Sequence, residues 1–332
     1  MVALKVSHSR VKKWRNCKKS HYYRYIEKLR PKKKARPLMF GTIVHEMVEA
    51  NINGQDPWKI LKSYEKKQGK LFKEEVEEYG NIVQDIFDIM TAYFQAHKRD
   101  GMGYIKINGV KAEHDFEVEI ADDIVLIGKI DALARRRKDK TLWLRETKSF
   151  KNLPGDDERW KSVQIFLYDF AIKELGWGEI DGACFDYIRS KAPTRPQLTE
   201  KTGEIARVNS LVTLPHIFDE FLKENDFDLK SYKEERQRMV DRLDDQFKRI
   251  FVPIKESVAE MVLDDFIVTA QEIGERQEFD HARHIGRHCS WCEYKHLCEA
   301  ELNDSDVDFV KEREYETSSK EKDAEEKETT GD

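Results

Sequence analysis

The strongest constraint on this chain is a change of hydrophobic period just after residue 100. Before it, "DPWKILKSYEKKQGKLFKEEVEEYGNIVQDIFDIMTAYFQAHKR" (56–99) sets Ile82, Val83, Ile86, Ile89, Met90, Tyr93 and Phe94 at helical spacing. After it, "KAEHDFEVEIADDIVLIGKIDALARRRKDKTLWLRETKSF" (111–150) is rich in β-branched and aromatic residues, broken by "ADD" and "RKDK". That block predicts three strands in a meander, about 111–120, 123–134 and 141–148. A helix at about 158–175 and the strand "GACFDYIRS" follow. Helix–βββ–helix–β is therefore the ordered heart, with helical additions on both sides.

Several additions have their own signals. A first helix begins near Ser7 or Ser9, either of which can cap it. "RPKKKARP" is a proline-bounded basic loop, and "MFGTIVHEMVEANIN" is a helix with Ile43, Met47 and Ala50 on one face. Helices are expected again at about 212–224 and 230–262. The acid-rich end, about 309–332, has too few apolar side chains to offset its ordering entropy and is expected to be a disordered tail. The whole reads as one domain over 1–305. Within it are a helical insertion at about 50–100, a core at about 110–190 and a helical, cysteine-bearing segment at about 210–300.

No apolar run approaches the ~20 residues of a membrane span. The N-terminus lacks the apolar core of a signal peptide, so no membrane association is expected. The expected location is intracellular: cytoplasmic, nucleoid-associated, or host cytoplasm for a viral chain. Thiols stay reduced there, and five cysteines point to metal binding or burial. The net charge of −5 conceals a basic stretch between residues 10 and 36. No G-x-x-x-x-G-K-[ST] loop occurs, so a helicase or recombination partner would be a separate protein.

Within the meander, "GKID" (128–131) precedes "ETK" (146–148) by fifteen residues. Strand side chains alternate, so Glu146 and Lys148 share a face, and Asp131 can lie beside them. Two converging carboxylates make a hard-oxygen site that suits Mg²⁺ or Mn²⁺. A lysine next to them can orient a metal-held water, the minimum for phosphodiester hydrolysis. Alone, an E-x-K triplet is equally the solvated face of an amphipathic strand. Two further pieces accompany it: "GTIVHE" places His45 on a helix, and "QIFLY" places Gln164 and Tyr168 at i,i+4.

This ordered series resembles the RecB-type branch of the PD-(D/E)xK nucleases, over most of residues 7–300. The resemblance implies an α/β restriction-endonuclease-like core, a mixed sheet flanked by helices. It makes Asp131 and Glu146 metal-binding carboxylates, with the Thr147 carbonyl a further ligand and Lys148 the catalytic lysine. His45 would approach the metal, and Gln164 and Tyr168 would hold DNA backbone or water. An acidic residue on the first strand is expected as well, Glu113 or Glu117. Ile130-Asp131 stands where the superfamily name has "PD", as is usual in this branch.

The run "HCSWCEYKHLC" gathers Cys289, Cys292 and Cys298. Iron–sulfur RecB-type nucleases, AddB-like and CRISPR-associated, carry one cysteine before the core and three after it. The resemblance thus implies a [4Fe–4S] cluster on Cys17, Cys289, Cys292 and Cys298, stapling the first helix to the last segment. Structural zinc is the rival for four thiolates. Cys184 reads as a buried, unligated thiol. Basic residues near Cys17 would meet phosphates, and Tyr22, Tyr23 and Tyr25 could stack on unpaired bases. The expected activity is that of a DNA exonuclease on single strands or ends in recombination, repair or replication, with little sequence specificity. A non-catalytic DNA-binding or scaffold subunit and a zinc-stapled DNA-binding protein are the alternatives.

Overall fold

A computed structural model describes residues 3–68, 79–155 and 162–318. Its strands are β1 (Leu4–Val6), β2 (Leu29–Pro31), β3 (Met102–Tyr104), β4 (His114–Ala121), β5 (Ile124–Ile130), β6 (Ala132–Arg136), β7 (Leu142–Phe150), β8 (Gly182–Arg189), β9 (Phe247–Pro253) and β10 (Tyr315–Thr317). The central sheet runs β3-β6-β7-β8-β9; a smaller one runs β1-β5-β4. Only β7 and β8 are parallel in the central sheet. A parallel pair cannot be joined by a hairpin, and the helix Val163–Glu174 supplies the crossover. The mixed α/β architecture fits the expectation.

Two cores cover the two faces. One packs Leu144, Phe185, Leu167 and Phe266 beneath the helices Val163–Glu174 and Glu256–Arg276. The other packs Ile43, Met47, Ile86 and Ile89 from the helices Arg36–Ile52 and Ile82–Ala96. Full burial of each such side chain contributes about 1.5–3 kcal/mol. The first helix, His8–Asn16, is capped by Ser7, whose side chain accepts the Arg10 amide at 3.2 Å. It buries Val11 and Trp14 in the first core.

The structure changes four expectations. The strand expected at 123–134 divides at Asp131, where β5 pairs with β4 and β6 pairs with β7. The Asp131 carboxylate accepts the Thr147 amide at 2.7 Å, a side chain taking a β7 donor at the break. The helix expected at 230–262 is interrupted: a helix over Lys233–Asp241, then β9, then the helix Glu256–Arg276. "FKRIFVP" is aromatic and β-branched, and it closes the sheet edge against β8. β8 must open with Gly182, because a Cβ there would sit 2.2 Å from the Val252 carbonyl oxygen.

The expected long helix at 56–99 comprises Trp58–Gln68 and Ile82–Ala96; residues 69–78 lie outside the described residues, as do 156–161 at the start of the expected 158–175 helix. Finally, order extends beyond residue 309. Val307–Glu314 is a helix, and β10 pairs antiparallel with β2. A few apolar anchors suffice: Tyr315 stacks on Tyr294, and Val307 and Val310 join the cluster around Tyr23, Leu29 and Leu297. The rest of the expected tail, 319–332, lies outside the described residues.

Candidate active site

The ladder itself gathers the acids. Ala132 pairs with Arg145 in one direction, so Asp131 next falls opposite Glu146. On its other side Ile130 pairs with His114, so Asp131 falls opposite Glu113. The Glu113 amide donates to the Asp131 carbonyl at 2.8 Å, and Glu113 holds a left-handed backbone with φ +60°. A non-glycine residue held there is strained, and such strain concentrates at functional sites. His45, buried on the helix Arg36–Ile52, brings Nδ1 to 3.5 Å from Asp131 Oδ2. One ligand atom each from His45, Glu113 and Asp131 lie within 4.8 Å of one another.

Of the two acids expected on the first strand, Glu113 is the one that lies beside Asp131. Glu117 is half-exposed and paired with Lys5 at 2.6 Å. Lys129 went unnoticed in the sequence. Its Nζ lies 3.7 Å from Glu113 and 3.1 Å from Asp115. Standing two residues before Asp131 in an alternating strand, it was findable by parity.

Burial raises both Asp131 and Glu146 above the usual carboxylate range, and Asp131 pushes Glu146 up further. The Thr147 amide and Lys148 oppose the rise at Asp131. One Glu146 oxygen lies 3.0 Å from Lys148 Nζ; the other is buried with no hydrogen-bond partner among the described residues. Burial pushes His45 down to about 4, leaving a neutral imidazole at neutral pH. Burial disfavours the Lys148 charge, but Glu146 and Asp131 outweigh it and raise its pKa.

Lys148 also donates to Gln164 Oε1 at 3.2 Å, and Gln164 Nε2 donates to the Tyr168 hydroxyl at 3.0 Å. The structure thus places the expected Gln164–Tyr168 pair on the Lys148 side of the cluster. Gly128 of "GKID" lies under the same group: a Cβ there would meet the Phe116 ring at 2.7 Å and Tyr168 at 3.2 Å. The donor set, carboxylates with one neutral imidazole and an orphaned carboxylate oxygen, fits a hard divalent cation.

Residues 5–299 match the family described as the PD-(D/E)XK nuclease superfamily. The chain belongs to it. Superfamily members are generally phosphodiester-hydrolysing nucleases that use divalent metals. No curated protein matches the chain. A solved structure described as "Crystal structure of SSO0001" is similar at 12% identity and a TM-score of 0.29, covering 80% of this chain and 85% of that one.

The cysteines fall into two groups. Cys184 is fully buried on β8, and burial pushes its thiol up to about 12. Cys17 ends the first helix, while Cys289, Cys292 and Cys298 lie in and around the turn Arg287–Trp291 and the helix Lys295–Leu302. The two segments are tied together. The Lys19 amide donates to the Ala282 carbonyl at 3.2 Å, a His284 ring nitrogen is 3.1 Å from the Asn16 carbonyl, and Lys19 pairs with Glu301 at 3.0 Å.

These ties use three of the basic residues expected to meet phosphates, Lys13, Lys18 and Lys19. Lys13 pairs with Glu293, and Lys18 with Glu272 and Asp280. Tyr23, expected to stack on bases, is buried against Tyr294 instead. The chain's own acids and core have taken these groups. No helix among the described residues is long and apolar enough to cross a membrane.

Proposed function

We propose that this chain is a metal-dependent DNA nuclease of RecB type, an exonuclease acting on single strands or DNA ends. The observation that carries the proposal is the convergence of Glu113 and Glu146 on Asp131 from two strand ladders, with His45 and Lys148 beside them. Glu113, Asp131, Glu146, the Thr147 carbonyl and His45 would hold Mg²⁺ or Mn²⁺. The ion would supply Lewis acidity and lower the pKa of a bound water. Lys148 holds positive charge where the phosphate gains negative charge. Gln164 and Tyr168 fix the lysine's position through a hydrogen-bonded relay. His45 stays neutral and so keeps a lone pair to offer.

In the same proposal Cys17, Cys289, Cys292 and Cys298 hold a [4Fe–4S] cluster, supported by four thiols on two segments that the fold ties together. Anaerobically purified protein should then be brown and contain iron and sulfide; colourless protein with stoichiometric zinc would replace cluster by zinc. The decisive test of activity is cleavage of 5′- and 3′-labelled single and double strands with Mg²⁺ or Mn²⁺. Asp131→Ala should reduce the rate about a thousandfold or more, because several kcal/mol of charge stabilisation is lost. Undiminished cleavage by that variant would sink the proposal.

A further inference from the structure

A cleft of about 980 Å³ opens beside Lys148 and Gln164. Its described lining includes six cations, Lys12, Arg15, Arg36, Lys148, Lys151 and Lys191, and no carboxylate. The whole chain carries 64 acids against 59 bases, so six cations and no acid among the described lining residues is a marked local departure. The first helix forms one wall, with His8, Lys12 and Arg15 at i, i+4 and i+7 on a single face. Lys151 and Lys191, which follow β7 and β8, are exposed at another. Phe150 and Val163, both partly exposed, give the cleft an apolar floor together with the buried Phe185, Tyr187 and Phe266.

The cations do not have equal duties. Arg15 hydrogen-bonds Thr269 and the Asp265 carbonyl, and Arg36 pairs with Asp85 at 2.6 Å. These two join elements of the wall. Lys151 and Lys191 have no carboxylate partner among the described residues. Burial opposes the charge on Lys12, and Lys148 and Lys13 oppose it further. Burial together with Lys12, Lys148 and Arg15 pushes His8 down to about 3. An anion in the cleft relieves that crowding.

We propose that this cleft is the track of a single nucleic-acid strand, in which Lys12, Lys151 and Lys191 hold the phosphates flanking the one that is cleaved. The inference rests on the nuclease reading above and names the form of its substrate. Cationic walls around an apolar floor match a strand that shows phosphates on one side and unpaired, apolar base faces on the other. A duplex hides its base faces in the stack and offers the floor nothing.

The test is fluorescence anisotropy of a labelled oligodeoxynucleotide, single-stranded or annealed to its complement, on the full chain in EDTA. The variant Lys12→Gln/Lys151→Gln/Lys191→Gln should bind the single strand at least tenfold more weakly, with the slope of log K against log salt reduced by about three. Lys223→Gln, an exposed lysine outside the cleft, should bind like the wild type. The wild type should prefer the single strand. Unchanged affinity and slope in the triple variant, or equal affinity for duplex, would overturn the proposal.

Lysine acylation of the wild-type protein guards against misfolding of the variant. Single-stranded DNA should protect Lys151 and Lys191, and unchanged labelling counts against the track. The two readings fail separately. Metal-dependent cleavage with no lysine effect removes the track alone. Lysine-dependent strand binding with no cleavage by the wild type removes the nuclease and leaves the track.

Discussion

β7 carries buried charge on both of its sides, and the two clusters resolve it in opposite ways. At Arg145 the group is balanced. Arg145 and Arg249 face Asp186 and Asp100, with the Tyr93 hydroxyl donating to Asp186 at 2.6 Å. Burial alone would raise the Asp186 carboxyl, yet Arg145 and Arg249 hold it well below the usual range. One residue on, Glu113, Asp131 and Glu146 gather around Lys129 and Lys148. Three acids meet two lysines there, and Asp131 and Glu146 are pushed up where Asp186 is held down. Each cluster keeps a carboxylate oxygen without a hydrogen-bond partner among the described residues, Glu146 Oε2 in one and Asp186 Oδ1 in the other. Equal burial therefore does not mean equal purpose. A charge-matched set holds the sheet to its helix; an acid-rich set, its carboxylates pushed up, favours a cation.

The comparison breaks most sharply at Asp186. Asp186→Ala leaves Arg145 and Arg249 buried without their shared partner and should cost about 3–5 kcal/mol in chemical denaturation. Next comes Gly128→Ala, which drives a methyl into the Phe116 and Tyr168 rings. It should cost about 1–3 kcal/mol and slow cleavage by displacing the Tyr168–Gln164 relay, both measurable on one preparation. Glu146→Gln should do the reverse of Asp186→Ala. It should abolish cleavage while stabilising the metal-free fold by an amount on the order of 1 kcal/mol, since a carboxylate with a raised pKa is removed. A loss of several kcal/mol there would make the two clusters alike.

The smallest effect is that of pH. Asp131 and Glu146 hold protons more tightly folded than unfolded, so their cost to the metal-free fold should shrink as pH falls through their raised pKa values. Asp186 has the opposite sign: its contribution is complete above the ordinary carboxylate pKa and is lost as pH falls below it. Thermal melts of wild type and Glu146→Gln should therefore converge toward mildly acid pH. Added Mn²⁺ should separate them again at neutral pH, with proton release visible by calorimetry in buffers of different ionisation enthalpy.

Much of the site was legible because strand parity is simple. Glu146 and Lys148 had to share a face, and Gln164 and Tyr168 had to share a helix stripe. Parity could not separate Glu113 from Glu117, four residues apart in the sequence; in the structure Glu113 stands just before β4 with a left-handed backbone. Pairing register decides between them, and register is a property of two strands together. β9 escaped notice because "FKRIFVP" lies between two helical patterns, and only the waiting edge of β8 makes it a strand. The helix and strand after residue 306 depend on Tyr294, Tyr23 and Leu29, contacts that composition cannot register. The fate of the N-terminal cations was equally hidden, since their partners lie more than 250 residues away.

The break at Asp131 has a consequence for the order in which the molecule becomes dangerous to its substrate. Glu113 comes from one sheet and Glu146 from the other, and Asp131 belongs wholly to neither. Neither half can assemble the set before both have docked. Under the nuclease reading, cleavage should therefore await the finished scaffold.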